Sequence, residues 1–220
     1  MASQARKAFD ESSKDILRLL EIHSNLGGEK KGRRYKLEVL NKSAIVLITA
    51  IWEAYCEDIV AEAVEHIVSH SSKATVLSKE IKKIVAKELE ADKNDLAVWD
   101  LADDGWRAVL RSRLARLQDE RNRRLNTPRS AQITELFQKA VGIDDITAAW
   151  SWKNMTVSSA QQKLDDYVTL RGEIAHRGKT ISSCSKKQVK DFLGHVKRLV
   201  GKTGGRLNGY VKKITRMSMW

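Results

Sequence analysis

Apolar residues recur along this 220-residue chain at intervals of three and four, and no stretch keeps the strict alternation of a half-buried strand. Phe9, Ile16, Leu19, Leu20 and His23 trace one face of a helix from Ala5 to Leu26, which Gly27 and Gly28 stop. A polar link, EKKGRR, follows. From Tyr35 to about His70 the positions Leu37, Leu40, Ala44, Leu47, Ile48, Ile51, Tyr55, Ile59, Ala63 and Ile67 hold to one broad stripe. That is a helix of about 50 Å at 1.5 Å per residue, and its apolar density between Ala44 and Trp52 predicts the central one. An amphipathic, lysine-rich helix spans Thr75 to Glu90. Residues 91 to 105 read as a loop or broken turn with an acidic N-cap ahead of Trp106, and an arginine-rich helix then runs to about Arg124.

Asn126-Thr127-Pro128 punctuates the pattern, and Ala131 to Val141 forms a short helix closed by Gly142. Asp144 and Asp145 start a turn into Trp150-Ser151-Trp152, read as a cover over the open end of a bundle. Ser158 or Ser159 caps a helix that passes through Leu164, Tyr167, Val168 and Ile174 to end at His176. The last helix begins near Ser185, carries Val189, Phe192, Val196 and Leu199, and meets Gly201, Gly204 and Gly205. Beyond them a basic tail, 201 to 220, has no defined order in the pattern. The expectation is a single all-α domain over residues 1 to 220: an antiparallel bundle of four principal helices, with shorter ones inserted between Gly105 and Trp152.

Composition narrows the function classes. The chain is 42% apolar with a single proline, Pro128, and has no run near the roughly 20 apolar residues that a membrane span needs. The start, MASQARKAFDES, lacks the apolar core of a signal peptide, so a cytoplasmic location is expected. Cys56 and Cys184 make neither a disulfide framework nor a metal cluster. His66 and His70 stand one turn apart without a third partner, and the pairs Asp103-Asp104, Asp144-Asp145 and Asp165-Asp166 suit capping or solvated faces, so no metal site and no cofactor is expected. Charge is more informative. The net is +12, of which residues 171 to 220 contribute 13 Lys or Arg against Glu173 and Asp191. A second basic run, Arg107 to Arg129, holds eight arginines against Asp119 and Glu120. Such fields suit a polyanion, although solvated helix faces also account for charge runs.

The basic C-terminal part begins at RGEIAHRG, residues 171 to 178. Arginine supplies a planar, permanent charge that can grip a phosphate, and histidine a proton that moves near neutral pH. Together Arg171 and His176 have the chemistry that cleavage of RNA by its own 2′-hydroxyl requires, without a metal. At about 100° per residue the two would stand roughly 140° apart on a regular helix. The expected site is therefore composite, built by a helix loosened at Gly172 and stopped at Gly178, or by two copies facing one another. Simpler readings are a histidine at a helix end, facing the local dipole, and an Arg171 paired with Asp166 or Glu173 on its own helix. Arg177 is either an added phosphate contact or a solvated charge.

RGEIAHRG resembles the Arg-x4-6-His motif of HEPN domains, all-helical proteins that include ribonucleases of prokaryotic defence and toxin systems. IWEAYCEDIV, residues 51 to 60, is similar to the central-helix signature of the RiboL-PSP-HEPN and related groups, and residues 125 to 154 to their middle region, so the likeness covers about 35 to 180. The resemblance implies a helical homodimer with two Arg/His pairs lining one cleft, an RNA substrate, a 2′,3′-cyclic phosphate product, and an antitoxin or regulatory protein as a further partner. It also implies that Glu53, Tyr55, Glu173 and Arg177 support the catalytic Arg171 and His176, with Glu53 and Tyr55 orienting the pair from the central helix. Two departures stand out: Gly172 occupies a place that is usually polar, and Arg177 separates His176 from Gly178. The alternative is a non-catalytic HEPN module that binds RNA or a protein.

Overall fold

The computed structural model describes residues 2–27, 37–112, 127–177 and 183–220. The EKKGRR link, the arginine-rich helix beyond residue 112 and Gly178 lie outside the described residues, as does the side chain of Arg177. The fold is all-α: among the described residues, seven helices and no strand beyond an isolated bridge between Trp152 and Met155.

Helix α1 (Gln4–Gly27) lays Ala5, Phe9, Ile16 and Leu20 on the core. Its first turn is capped from another helix, since the Glu62 carboxylate accepts from the Ala5 N–H at 2.5 Å and the Gln4 N–H at 3.3 Å. Glu62 belongs to α2 (Glu38–His70), which buries 14 residues in a broad stripe. Helices α1, α5, α6 and α7 all pack on it, while Val39, Leu47, Ala50, Ala54 and Asp58 leave the opposite side open to water. Among the described residues no helix is long and apolar enough to cross a membrane.

Helix α3 (Lys79–Glu90) starts later than the periodicity predicts, because the Ser78 hydroxyl caps it by accepting from the Ile81 N–H and donates to the Lys139 carbonyl of α5 at 2.6 Å. A 3-10 turn (Ala97–Leu101) leads to α4, described over 105–112. Helix α5 (Ser130–Val141) ends at Gly142, whose φ of +90° is the left-handed conformation that glycine adopts freely. The acidic pairs act locally: Asp104 pairs with Arg107, Asp145 caps the 3-10 turn Ile146–Ala149, and Asp165 accepts from the Ser130 N–H and hydroxyl.

Helix α6 (Val157–Arg177) is capped by Thr156, which accepts from the Ser159 N–H at 3.1 Å, rather than by Ser158 or Ser159. Helix α7 (Lys186–Thr215) opens with a reciprocal capping box between Ser185 and Gln188. Cross-contacts fix directions. Ala5 meets Glu62 and His23 approaches Asn41, so α1 and α2 are antiparallel. Tyr167 reaches the Gln188 carbonyl and His195 the Ala160 carbonyl, so α6 and α7 are antiparallel. Asn41 donates to Cys184 and Tyr55 to Val200, so α2 and α7 run the same way.

Two expectations are corrected. The last helix does not end at Gly201, and no tail follows there: α7 continues to Thr215, because Thr203, Leu207 and Val211 extend its buried stripe. Trp150 does not cover an open end but is fully buried, edge-on to Trp52 at 5.9 Å and donating to Thr203 Oγ1 at 2.9 Å.

Adjacent glycines of α7 differ in why they are glycine. A Cβ on Gly204 would lie 2.9 Å from the Tyr55 hydroxyl, whereas one on Gly205 would meet nothing within 4 Å. Gly204→Ala should therefore destabilise by about 1–2 kcal/mol by displacing a buried hydrogen-bonded ring. Gly205→Ala should stabilise by about 0.5–1 kcal/mol through helix propensity. Urea unfolding of both variants checks the opposite signs.

Candidate active site

Arg171 and His176 both lie on the regular stretch of α6, which runs without a break past Gly172 to Arg177. Gly172 does not loosen the helix. A rise of about 1.5 Å and a turn of about 100° per residue set the two Cα atoms about 7.5 Å apart along the axis, with side chains about 140° apart. Arg171 turns toward α2 and is partly buried, whereas His176 stands exposed in the last turn. The structure thus brings them to one end of one helix without aiming them at one point.

Arg171 does not spend all its donors. Its Nε is buried and has no hydrogen-bond partner among the described residues. Other described arginines are engaged: Arg6 with Asp10, Arg107 with Asp104, Arg129 with Thr169, Arg206 with the Asp145 carbonyl. Across from it on α2 is Glu53, whose carboxyl is pushed above its ordinary value by burial and drawn part of the way back by the charge of Arg171. The charge of Arg171 thus reaches a half-buried carboxyl on α2 while its Nε donor is unspent.

The RiboL-PSP-HEPN family model matches residues 11–207. The chain belongs to the RiboL-PSP-HEPN family. Comparison with curated proteins and with solved structures gives no match.

Within this HEPN chain the supporting residues separate by environment. Glu53 faces Arg171. Tyr55 serves the core instead: its hydroxyl donates to the Val200 carbonyl at 3.0 Å and its ring stacks with Trp52 and meets Phe9 edge-on. Glu173 is partly buried on α6 and lies within about 60° of His176 on the helix surface. Thr169 shares that face, four residues before Glu173 and seven before His176.

Two residues join the site that sequence reading did not single out. Arg129 donates to Thr169 Oγ1 at 2.9 Å, which lays a cation from the start of α5 on the face that carries His176. Its signal was its place at the end of the arginine run, just after Pro128. The other is Glu57, one turn beyond Glu53 on α2. Burial, then the neighbouring carboxyls of Glu53 and Asp58, push its carboxyl up to about 7. The i, i+4 spacing of Glu53 and Glu57, just after the apolar stretch from Ala44 to Trp52, was the readable sign.

Because the folded state holds the Glu57 proton more tightly than the unfolded chain does, the folded protein is favoured at low pH. Stability should fall as pH rises from about 4.5 toward about 7. Glu57→Gln should match the wild type near the bottom of that window and exceed it in stability above its top. Thermal unfolding across the range measures this.

Proposed function

We propose that the chain is a metal-independent endoribonuclease that cleaves RNA by attack of the 2′-hydroxyl on the adjacent phosphorus, acting in antiphage defence or a toxin–antitoxin pair. The observation that carries the reading is Arg171, whose Nε has no partner among the described residues and whose charge reaches Glu53, about one and a half turns before an exposed histidine on the same helix. Arg171 would hold the scissile phosphate and stabilise charge as it builds there. His176 would take the proton from the 2′-hydroxyl or give one to the leaving 5′-oxygen. The 140° between them is the reason for a homodimer: the arginine of one copy and the histidine of its mate can converge where those of one copy do not. Arg129 and Arg177 would add phosphate contacts. Attack by the 2′-hydroxyl leaves a 2′,3′-cyclic phosphate and spares DNA.

A second reading, a HEPN module that binds RNA or a regulatory protein without cutting, is favoured by Gly172. A Cβ there would meet nothing within 4 Å, so this position beside the arginine offers no side chain to orient the histidine. Toxicity on expression separates the two, since a binding module has no reason to arrest growth.

Incubated with total RNA in EDTA, the wild type should leave 2′,3′-cyclic phosphate ends. His176→Ala should lose about 10²–10⁴-fold in rate, and Arg171→Ala about 10²–10³-fold. His176 is exposed, so unfolding does not explain its loss. Undiminished cleavage by His176→Ala would remove the assignment.

A further inference from the structure

Two surface features lie outside the proposed active site and complement one another. The first is the segment 91–104, where Asp92, Asp95, Asp100, Asp103 and Asp104 outnumber Lys93 in a chain whose net charge is +12. Its 3-10 turn is pinned by the buried Ala97 and by backbone bonds from the Ala97 N–H to Asn94 and from the Trp99 N–H to Leu96. On that rigid turn Leu96, Val98 and Trp99 are 67%, 54% and 72% exposed. Three large exposed apolar side chains within four residues, in a segment rich in carboxylates, form a knob.

The second is on α7. Gly201, Gly205 and Gly209 recur every fourth residue on one face, and a Cβ at Gly205 or Gly209 would meet nothing within 4 Å, while at Gly201 the nearest atom is an arginine nitrogen at 4.0 Å. Among the described residues packing does not call for glycine at these three positions, yet each costs the helix about 1 kcal/mol relative to alanine. They floor a hollow of about 670 Å³ whose walls include Ile143 and Tyr210. Lys202, Arg206 and Lys213 also line it.

We propose that the acidic, tryptophan-bearing knob of one copy docks in the glycine-floored groove of α7 on a second copy. Trp99 lies over the glycines, where the missing side chains make room for an indole, and the cations at the groove can stack on its ring. Asp95, Asp100 and Asp103 face Lys202, Arg206 and Lys213. Charge decides the occupant. Two α7 grooves brought together would oppose like charges, whereas a nucleic acid would meet the cations but leave the exposed Trp99 without a role. Knob and groove are different surfaces, so the contact is head-to-tail and leaves a free knob and a free groove at its ends. It is separate from the pairing that would build the Arg171/His176 site, and does not depend on that reading.

Sedimentation velocity of the nuclease-treated full chain over a concentration series tests it. The wild type should grow with concentration beyond the mass of a pair, and added salt should reverse that growth. Trp99→Ser, at an exposed position, and Gly205→Leu, which fills the groove, should each abolish growth beyond a pair. Mixed together they should associate further again, because the first keeps its groove and the second its knob. Growth beyond a pair that persists in Trp99→Ser, or a wild type that never exceeds a pair over the whole series, would each overturn the proposal.

Discussion

Helix α2 carries a broad buried stripe from Asn41 to Val68, and the positions of α1, α5, α6 and α7 follow from covering it. The same helix meets them with polar groups at a few points: Glu62 caps α1, Tyr55 anchors α7 at Val200, and Asn41 holds Cys184 ahead of α7. Where α2 faces α6, the apolar surface is interrupted by Glu53. A carboxyl half-removed from water at that seam feels the charge of Arg171 on α6. The same requirement to bury Leu164 and Val168 fixes the rotation of α6, and with it the outward direction of His176.

Much of this was legible in the chain because periodicity reports burial. The central stripe from Leu37 to Ile67 and the stop at Gly142 are local patterns with local causes. The reading of α7 failed where local propensity and tertiary packing disagree. Four glycines between 201 and 209 look like the end of a helix, but Leu207 and Val211 gain more by burial than the glycines lose, and Gly204 is required by the ring of Tyr55. Tryptophan beside tryptophan suggested a surface cover for the same reason: nothing in the sequence says that Thr203 waits to accept from the indole of Trp150. At the site, the Arg/His spacing could be read directly, and Glu53 came through the family resemblance. Arg129 and Glu57 left only faint signals, since one reaches α6 from a distant segment and the other matters through its burial.

Helix geometry also bears on how many chains a site needs. A five-residue step on an unbroken helix separates a charge donor from a proton donor, and no rotamer change brings the one in contact with α2 around to the exposed face of the other. Pairing two copies resolves this without distorting α6, at the cost of making activity depend on assembly. Under the proposed function the basic stretches of the chain would draw RNA toward that shared site as a field.

The central claim is that Arg171 of one copy works with His176 of another. The most direct measurement mixes Arg171→Ala with His176→Ala, lets subunits exchange, and follows RNA cleavage in EDTA. Each variant alone should be inactive, and the mixture should regain part of the wild-type rate as mixed dimers unite the intact arginine with the intact histidine. A mixture as inactive as its components, with exchange confirmed by mass, would contradict a composite site.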